Sequence, residues 1–321
     1  MKKRILVTIL SFVILILIVG FFIAKFGNIL NKNDKIIIIT TIYPEYDFVS
    51  HIVGDKMNVI RLIEPGVEIH TYEPTTRDMM KISDAKAFVY TGKAMEPWAE
   101  QIVDVIEEKG VVVVDTSKNI DMINSDKFME EYSLLENSHE EEEHSEHEEL
   151  DGHIWMNPKN AVIMIDTILG EIIKIDPENK EYYEKNANEY KEEILKLDKE
   201  IEYSLKENNI DTLVFGGEFS YAYFCERYDL NVVSCYTACG EHSDPSIATI
   251  QKVVDFINDN NIPAIYYEEL STGQVSQIVA EETNTESRVF NTIHNVTIDE
   301  INSNENYVTI MRKNLEAIIK K

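Results

Sequence analysis

The sequence predicts an α/β protein of two βα lobes with parallel sheets, joined by a long backbone helix, with a cleft between the lobes. Three observations predict it. β-Branched runs alternate with helical periodicity over residues 36–115, and parallel strands need such helical crossovers. The same rhythm restarts at Thr212 and runs to the C-terminus. Between the two stretches, Tyr183, Ala187, Tyr190, Ile194, Leu197, Ile201 and Leu205 recur every three or four residues, one apolar stripe on a helix of about 45 Å. With 321 residues and 44% hydrophobic content, the chain can bury one large core or two medium ones, and wholesale disorder is excluded.

The elements follow in order. Ile36–Thr41 reads as a strand, Tyr46–Val53 as a helix and Met57–Ile63 as a strand. Thr76–Ile82 is a helix, Ala85–Thr91 a strand, Pro97–Glu108 a helix and Val111–Asp115 a strand. Helices are expected over Pro158–Ile175 and Glu178–Asn208. The second half reads as strand Thr212–Gly216, helix Ser220–Arg227, strand Asn231–Cys235 and helix Ser246–Asp259, which Pro245 opens. Strand Ala264–Tyr267, helix Thr272–Glu282, strand Arg288–Thr292 and helix Tyr307–Ile319 complete it. The expected organisation is an N-terminal segment 1–34, a lobe over 35–175, a connecting helix over 176–210 and a second lobe over 211–321. Ligands of such sheets bind at the carboxyl ends of the strands.

Charge and export signals narrow the function classes. Thirty Lys and Arg stand against 58 Asp and Glu, a net charge of −28. Phosphate neutralisation needs clustered Lys and Arg, so a nucleic-acid partner is not expected. Lys2, Lys3 and Arg4 precede an apolar run from Ile5 to Ala24, broken only by Thr8, Ser11 and Gly20. Twenty residues at about 1.5 Å each span a bilayer core. The basic flank stays cytoplasmic and the remainder is exported, so segment 1–34 is an uncleaved anchor or a cleaved signal. No cysteine precedes Cys225, so a lipid-modified N-terminal cysteine is not expected. The remaining 25 basic and 57 acidic residues give the exported part a net charge of −32. Cys225, Cys235 and Cys239 are odd in number; Cys235 and Cys239 either close a small disulfide loop or remain buried thiols.

The histidines sort by context. His70 lies just past the strand ending at Ile63, His153 in a turn before the helix at Pro158, and His294 beyond the last strand. A lone histidine at such a junction is an ordinary surface or capping residue. Three in equivalent positions facing one crevice point to a divalent metal, because neutral imidazole is the commonest metal ligand. His139, His144 and His147 fall in the segment 136–151, where nine of sixteen residues are acidic. That segment cannot bury a core; it is either a solvated linker or a weak accessory metal-collecting loop beside His153. His51, inside a helix, reads as a surface residue.

Several segments resemble the zinc/manganese receptors of ABC importers. They are Ile42-Tyr43-Pro44, Gly54-Asp55, and Pro65-Gly66 through His70-Thr71-Tyr72-Glu73-Pro74. His153-Ile154-Trp155-Met156-Asn157-Pro158, Tyr223 through Leu230, His294-Asn295-Val296 and Tyr307 through Leu315 complete the set. The resemblance covers about residues 36–318 in order. It implies one divalent metal held by four side chains, two from each lobe. The first two fall on His70 and His153. Aligning Tyr223-Phe224 puts Glu218 at the third position, often His in zinc receptors and Glu in manganese receptors. The fourth is usually Asp or Glu, and the register places His294 at that position or one residue from it, a departure from the pattern. Glu269, His242 and Glu73 are alternatives or supporting groups.

Three imidazoles and one carboxylate suit tetrahedral Zn²⁺; Mn²⁺, the alternative, prefers more oxygen ligands. The reading implied is a monomeric extracytoplasmic receptor delivering zinc to an ABC permease, attached to the membrane or exported through its N-terminal segment. A zinc hydrolase is the competing class, but no H-E-x-x-H or G-x-S-x-G pattern occurs. A surface adhesion protein is a third reading that no residue pattern addresses.

Overall fold

Two four-stranded parallel sheets carry the architecture. The computed structural model describes residues 35–135, 150–236 and 245–320. The chain divides into two units, Met1–Ile36 and Ile37–Lys321, and every element below belongs to the second.

The first sheet comes from β1 (Ile37–Thr40), α1 (Tyr43–Val53), β2 (Asn58–Arg61), α2 (Thr76–Asp84), β3 (Ala87–Tyr90), α3 (Pro97–Glu100), α4 (Val103–Glu107) and β4 (Val112–Asp115). Its strand order is β2-β1-β3-β4, all parallel. Next come α5 (Ser125–Tyr132), α6 (Pro158–Ile175) and the long α7 (Lys180–Glu207). The second sheet follows with β5 (Thr212–Phe215), α8 (Ala222–Tyr228), β6 (Asn231–Ser234), α9 (Ile247–Asn260), β7 (Ala264–Tyr267), α10 (Gln274–Thr283) and β8 (Glu286–Val289). Its order, β6-β5-β7-β8, repeats the first. Helices α11 (Ile298–Asn302) and α12 (Tyr307–Ile319) close the chain.

Strands buried on both faces should be continuously apolar, and Ala87, Phe88, Val89 and Tyr90 are all buried. Ile39, Phe88, Ile82 and Ile106 belong to the core under the first sheet. Val214, Val233, Ile265, Val253 and Val279 belong to that under the second.

All seven residues of the expected stripe on α7 are buried. The helix packs on α1, α6 and α12. Polar bonds fasten it at two levels. Tyr190 donates its hydroxyl to Asp47 of α1, and Asn186 Nδ2 donates to the Ile52 carbonyl at 3.1 Å. Farther along, the buried Asp198 accepts from Arg227 at 2.6 Å and from Tyr228 at 3.1 Å, both on α8.

At the switch point of the first sheet, between β1 and β3, two carboxylates are buried together. Glu45 Oε1 accepts the Thr91 hydroxyl at 2.6 Å and Glu96 Oε2 accepts the Thr91 amide at 2.6 Å. Burial pushes both carboxyls up, and a neighbouring charge adds to it, that of Glu96 at Glu45 and that of Asp115 at Glu96.

Element boundaries depart from the sequence expectation in instructive ways. Helix α1 begins at Tyr43 and not Tyr46, with Pro44 in its first turn, where a missing N–H costs nothing. The helix expected over Pro97–Glu108 is two short ones, because Gln101 and Ile102 donate to carbonyls three residues back. The last strand is Glu286–Val289 and not Arg288–Thr292: the amides of Asn291 and Thr292 are taken by the side chains of Asn314 and Glu269 instead of β7. Helices α5 and α11 were not anticipated. Each is capped by its preceding residue, Asn124 and Thr297, and Thr297 with Glu300 forms a capping box.

The apolar run Ile5–Ala24, the histidines at 139, 144 and 147, and Cys239 with His242 lie outside the described residues. No helix among the described residues is long and apolar enough to cross a membrane. Cys225 and Cys235 are buried thiols.

Candidate metal centre

Three chain segments far apart in sequence bring His70, His153 and His294 together. Each offers one ring nitrogen, and the three nitrogens lie within 4.8 Å of one another. The ring centroids are separated by 5.5 Å (His70 to His153), 5.7 Å (His70 to His294) and 6.1 Å (His153 to His294). A tetrahedral zinc with bonds of about 2.1 Å needs ligand nitrogens about 3.4 Å apart, so small side-chain shifts close the triangle on an ion.

His70 sits on the loop between β2 and α2. Glu64-Pro65-Gly66-Val67 forms a turn in which the Val67 amide donates to the Glu64 carbonyl at 3.3 Å. Gly66 has φ +75°, which the third position of a type II turn requires, and Pro65 fits the second. The His70 amide donates to Glu68 Oε1 at 3.0 Å. Beyond His70 the loop is fastened by Tyr72, which packs edge-on against Trp98 and donates to Asp78.

His153 is 4% exposed and opens a short 3-10 turn, Ile154–Met156, that leads into α6. Asp151 Oδ1 receives both its amide at 2.8 Å and its Nδ1 at 2.7 Å. An ionised carboxylate can only accept, so Nδ1 carries the proton and Nε2 keeps a lone pair. That Nε2 is buried and has no partner, an arrangement that needs a ligand to offset it. Gly152 is required here: a Cβ would meet the Met95 backbone at 2.8 Å.

His294 is 5% exposed, and its Nδ1 lies 2.6 Å from the Thr292 hydroxyl. Thr292 Oγ1 is in turn 2.9 Å from Glu269 Oε1, and the Thr292 amide donates to Glu269 Oε2 at 2.8 Å. With Glu269 ionised, the hydroxyl gives its proton to the carboxylate and accepts from His294 Nδ1–H, again leaving Nε2 for a metal. Burial, with the nearby His153 and His70, holds His294 well below the ordinary histidine range; its imidazole is therefore neutral, the form a metal needs. Burial pushes Glu269 up to about 7 against the pull of Thr292.

The backbone carrying His294 is strained. Ile293 has φ +63°, a left-handed conformation that a β-branched side chain disfavours. The other described non-glycine residues with positive φ are all Asn or Asp. Such strain costs on the order of 1–3 kcal/mol and persists where surrounding bonds over-determine it. Here the Ile293 amide donates to Asn291 Oδ1 at 2.7 Å, and the His294 carbonyl accepts from the Tyr43 amide at 3.2 Å.

The remaining candidate residues fall elsewhere. Glu218, just past β5, is not in the histidine group; it lines a neighbouring cleft with Gly216, Gly217, Glu268, Ser271 and Gly273. Glu269 supports Thr292, as above. Glu73 is exposed. His51 bonds Asp47 and stacks on Tyr190 at 3.7 Å. Sequence reasoning missed Asp151, Thr292 and Asn295 as supporting groups, although the first two stand two residues before their histidines. Across the mouth, Tyr223 donates to the Asp151 carbonyl at 3.0 Å, and Trp155 Nε1 donates to the Thr292 carbonyl at 2.8 Å.

Known proteins share this sequence and fold. A zinc uptake protein of Bacillus subtilis, the high-affinity zinc uptake system protein ZnuA, is 32% identical over 292 residues, covering 91% of this chain and 89% of the relative. The zinc-binding lipoprotein AdcA of Streptococcus pneumoniae is 30% identical over 297 residues; these cover 92% of this chain but only 58% of that longer protein. Among solved structures, the metal-dependent lipoprotein YcdH of Bacillus subtilis superposes with a TM-score of 0.75 at 30% identity, covering 89% of this chain and 99% of that one. The Zn(II)-bound ZnuA-like domain of Streptococcus pneumoniae AdcA gives 0.73 at 27% identity, covering 89% and 100%. The profile of one family, ZnuA, zinc-uptake complex component A, periplasmic, matches residues 38–321, and the chain belongs to that family.

Proposed function

We propose that this protein is an extracytoplasmic receptor that takes up Zn²⁺ between its lobes through His70, His153 and His294 and hands it to an ABC-type permease. The family is one of uptake components and not of enzymes. The observation that carries the reading is the convergence of three imidazoles, one of which, His153, buries an unpartnered Nε2.

Three neutral nitrogens favour zinc over manganese, which prefers oxygen donors. Glu218 is the proposed fourth donor, reached from the neighbouring cleft as the ion enters. Glu269 acts behind His294 and not as a ligand. The acidic segment 136–151, with His139, His144 and His147, is the proposed weak collecting loop, and segment 1–34 the proposed membrane attachment. The receptor is proposed to act as a monomer, one tight ion per chain.

Zinc titration of single His→Ala variants at positions 70, 153 and 294 tests the reading. Each substitution is expected to abolish tight binding while leaving the metal-free fold intact. Unchanged affinity in all three would remove the site.

A further inference from the structure

We propose that Asn295 is a positioning residue for metal retention: its side-chain amide latches the base of the His70 loop onto the turn that carries His294. The proposal rests on the zinc-receptor reading and goes beyond it, because it names what holds two of the histidines in register.

The geometry is specific. Asn295 Nδ2 donates to the Glu64 carbonyl at 3.0 Å and to the Val67 carbonyl at 2.7 Å. These are the first and last residues of the Pro65-Gly66 turn, so one amide closes both of its ends. Oδ1 accepts the Val296 amide at 2.8 Å. Both side-chain hydrogens and the oxygen are therefore used, and the residue is 1% exposed. A buried amide satisfied on every side is costly to replace.

The latch joins segments more than two hundred residues apart and sits next to His294 in sequence. On the other lobe it grips three residues before His70. The β2–α2 loop has no regular structure over residues 62–75, so its position depends on its fastenings. At the far end Tyr72 meets Asp78 and Trp98; at the near end the described cross-lobe fastening is Asn295. His70 lies between them. The Leu62 and Ile63 amides still hold the start of the loop to the Thr40 and Thr41 carbonyls, so losing Asn295 releases the Glu64–Val67 turn and allows His70 to leave the triangle while His153 and His294 stay put.

The test compares wild-type protein with Asn295→Ala and Asn295→Ser. Zinc release to an excess of chelator is timed, and amide hydrogen exchange is followed in the metal-free protein. Release is expected to accelerate by about tenfold or more, the size typical of losing a group that orients a metal ligand. Exchange should rise over residues 64–70 and stay unchanged over Glu286–Val289, with the metal-free variants melting below wild type but folded at the assay temperature. Release at the wild-type rate from folded variants overturns the latch. Exchange rising evenly through the chain, or failure of both variants to fold, makes Asn295 a structural residue and overturns it too. If wild-type protein binds no zinc, the receptor reading fails first, and the two failures are told apart.

Discussion

The two lobes share one strand order, yet they build their histidines differently. In the first lobe His153 leans directly on a carboxylate, Asp151. In the second, His294 reaches its carboxylate through a hydroxyl, from Thr292 to Glu269. With their carboxylates ionised, both arrangements put the proton on Nδ1 and leave Nε2 for an ion. The direct pair is charge-assisted, hence the stronger. The relay needs two bonds in series and a strained Ile293 to hold its turn. The contrast teaches that the tautomer is the quantity the fold fixes, and that the supporting group is interchangeable as long as it is an acceptor.

The contrast can be broken with paired variants. Asp151→Ala is expected to weaken zinc by about 10–100-fold, the usual loss for such supporting groups. Thr292→Val interrupts the relay without touching Glu269, and is expected to cost less than Asp151→Ala when both are measured by competition with a chelator of known affinity. Equal losses would remove the contrast, and a greater loss from Thr292→Val would make the relay the stronger support.

A smaller effect comes from the switch points. The first sheet buries Glu45 and Glu96 there, both with carboxyls raised by desolvation, Glu45 also by Glu96 and Glu96 also by Asp115. The native state then holds a proton that the unfolded chain gives up above about 4.5, the ordinary value. The stability from this pair is complete below that value and declines as pH rises through the raised folded values. His294 has the opposite slope: its lowered folded value costs stability as pH falls below the ordinary 6.5. Between pH 6.5 and 8 the carboxylates dominate. Metal-free protein is therefore expected to melt at a lower temperature as pH rises across that window, and Glu45→Gln should flatten the decline. A wild-type melting temperature that rises with pH there would contradict the assignment.

Much of the fold was legible because periodicity records burial. The α7 stripe is legible residue for residue, and so are all eight strands: central strands such as β3 are apolar throughout, while the edge strands β2 and β8 carry polar residues and follow from the alternation with helices. Helices α5 and α11 are not legible, because short helices have little periodicity and show themselves only by their caps at Asn124 and Thr297. The β8 boundary was misplaced because the amides of Asn291 and Thr292 choose side chains over the ladder, which no local pattern reveals.

The site was legible in its histidines and not in its supports. A shared feature was present in the sequence: Glu68-Ile69-His70, Asp151-Gly152-His153 and Thr292-Ile293-His294 each place an acceptor two residues before the histidine. In all three the acceptor bonds that histidine's amide or ring. Glu218 could be placed by register, but which cleft its carboxylate faces depends on the β5–α8 connection and on the opposing Glu268. The role of Asn295 needs the two lobes in place, since its partners Glu64 and Val67 lie at the other end of the chain.

The central claim is that three imidazoles hold one ion. Zinc K-edge X-ray absorption of the protein loaded with one equivalent of Zn²⁺ tests it most directly. A four-coordinate shell is expected at about 2.0–2.1 Å, with outer-shell scattering from three imidazole rings and one further light donor, changed in Glu218→Gln. An oxygen-dominated shell, or scattering from fewer than three imidazoles, would contradict it.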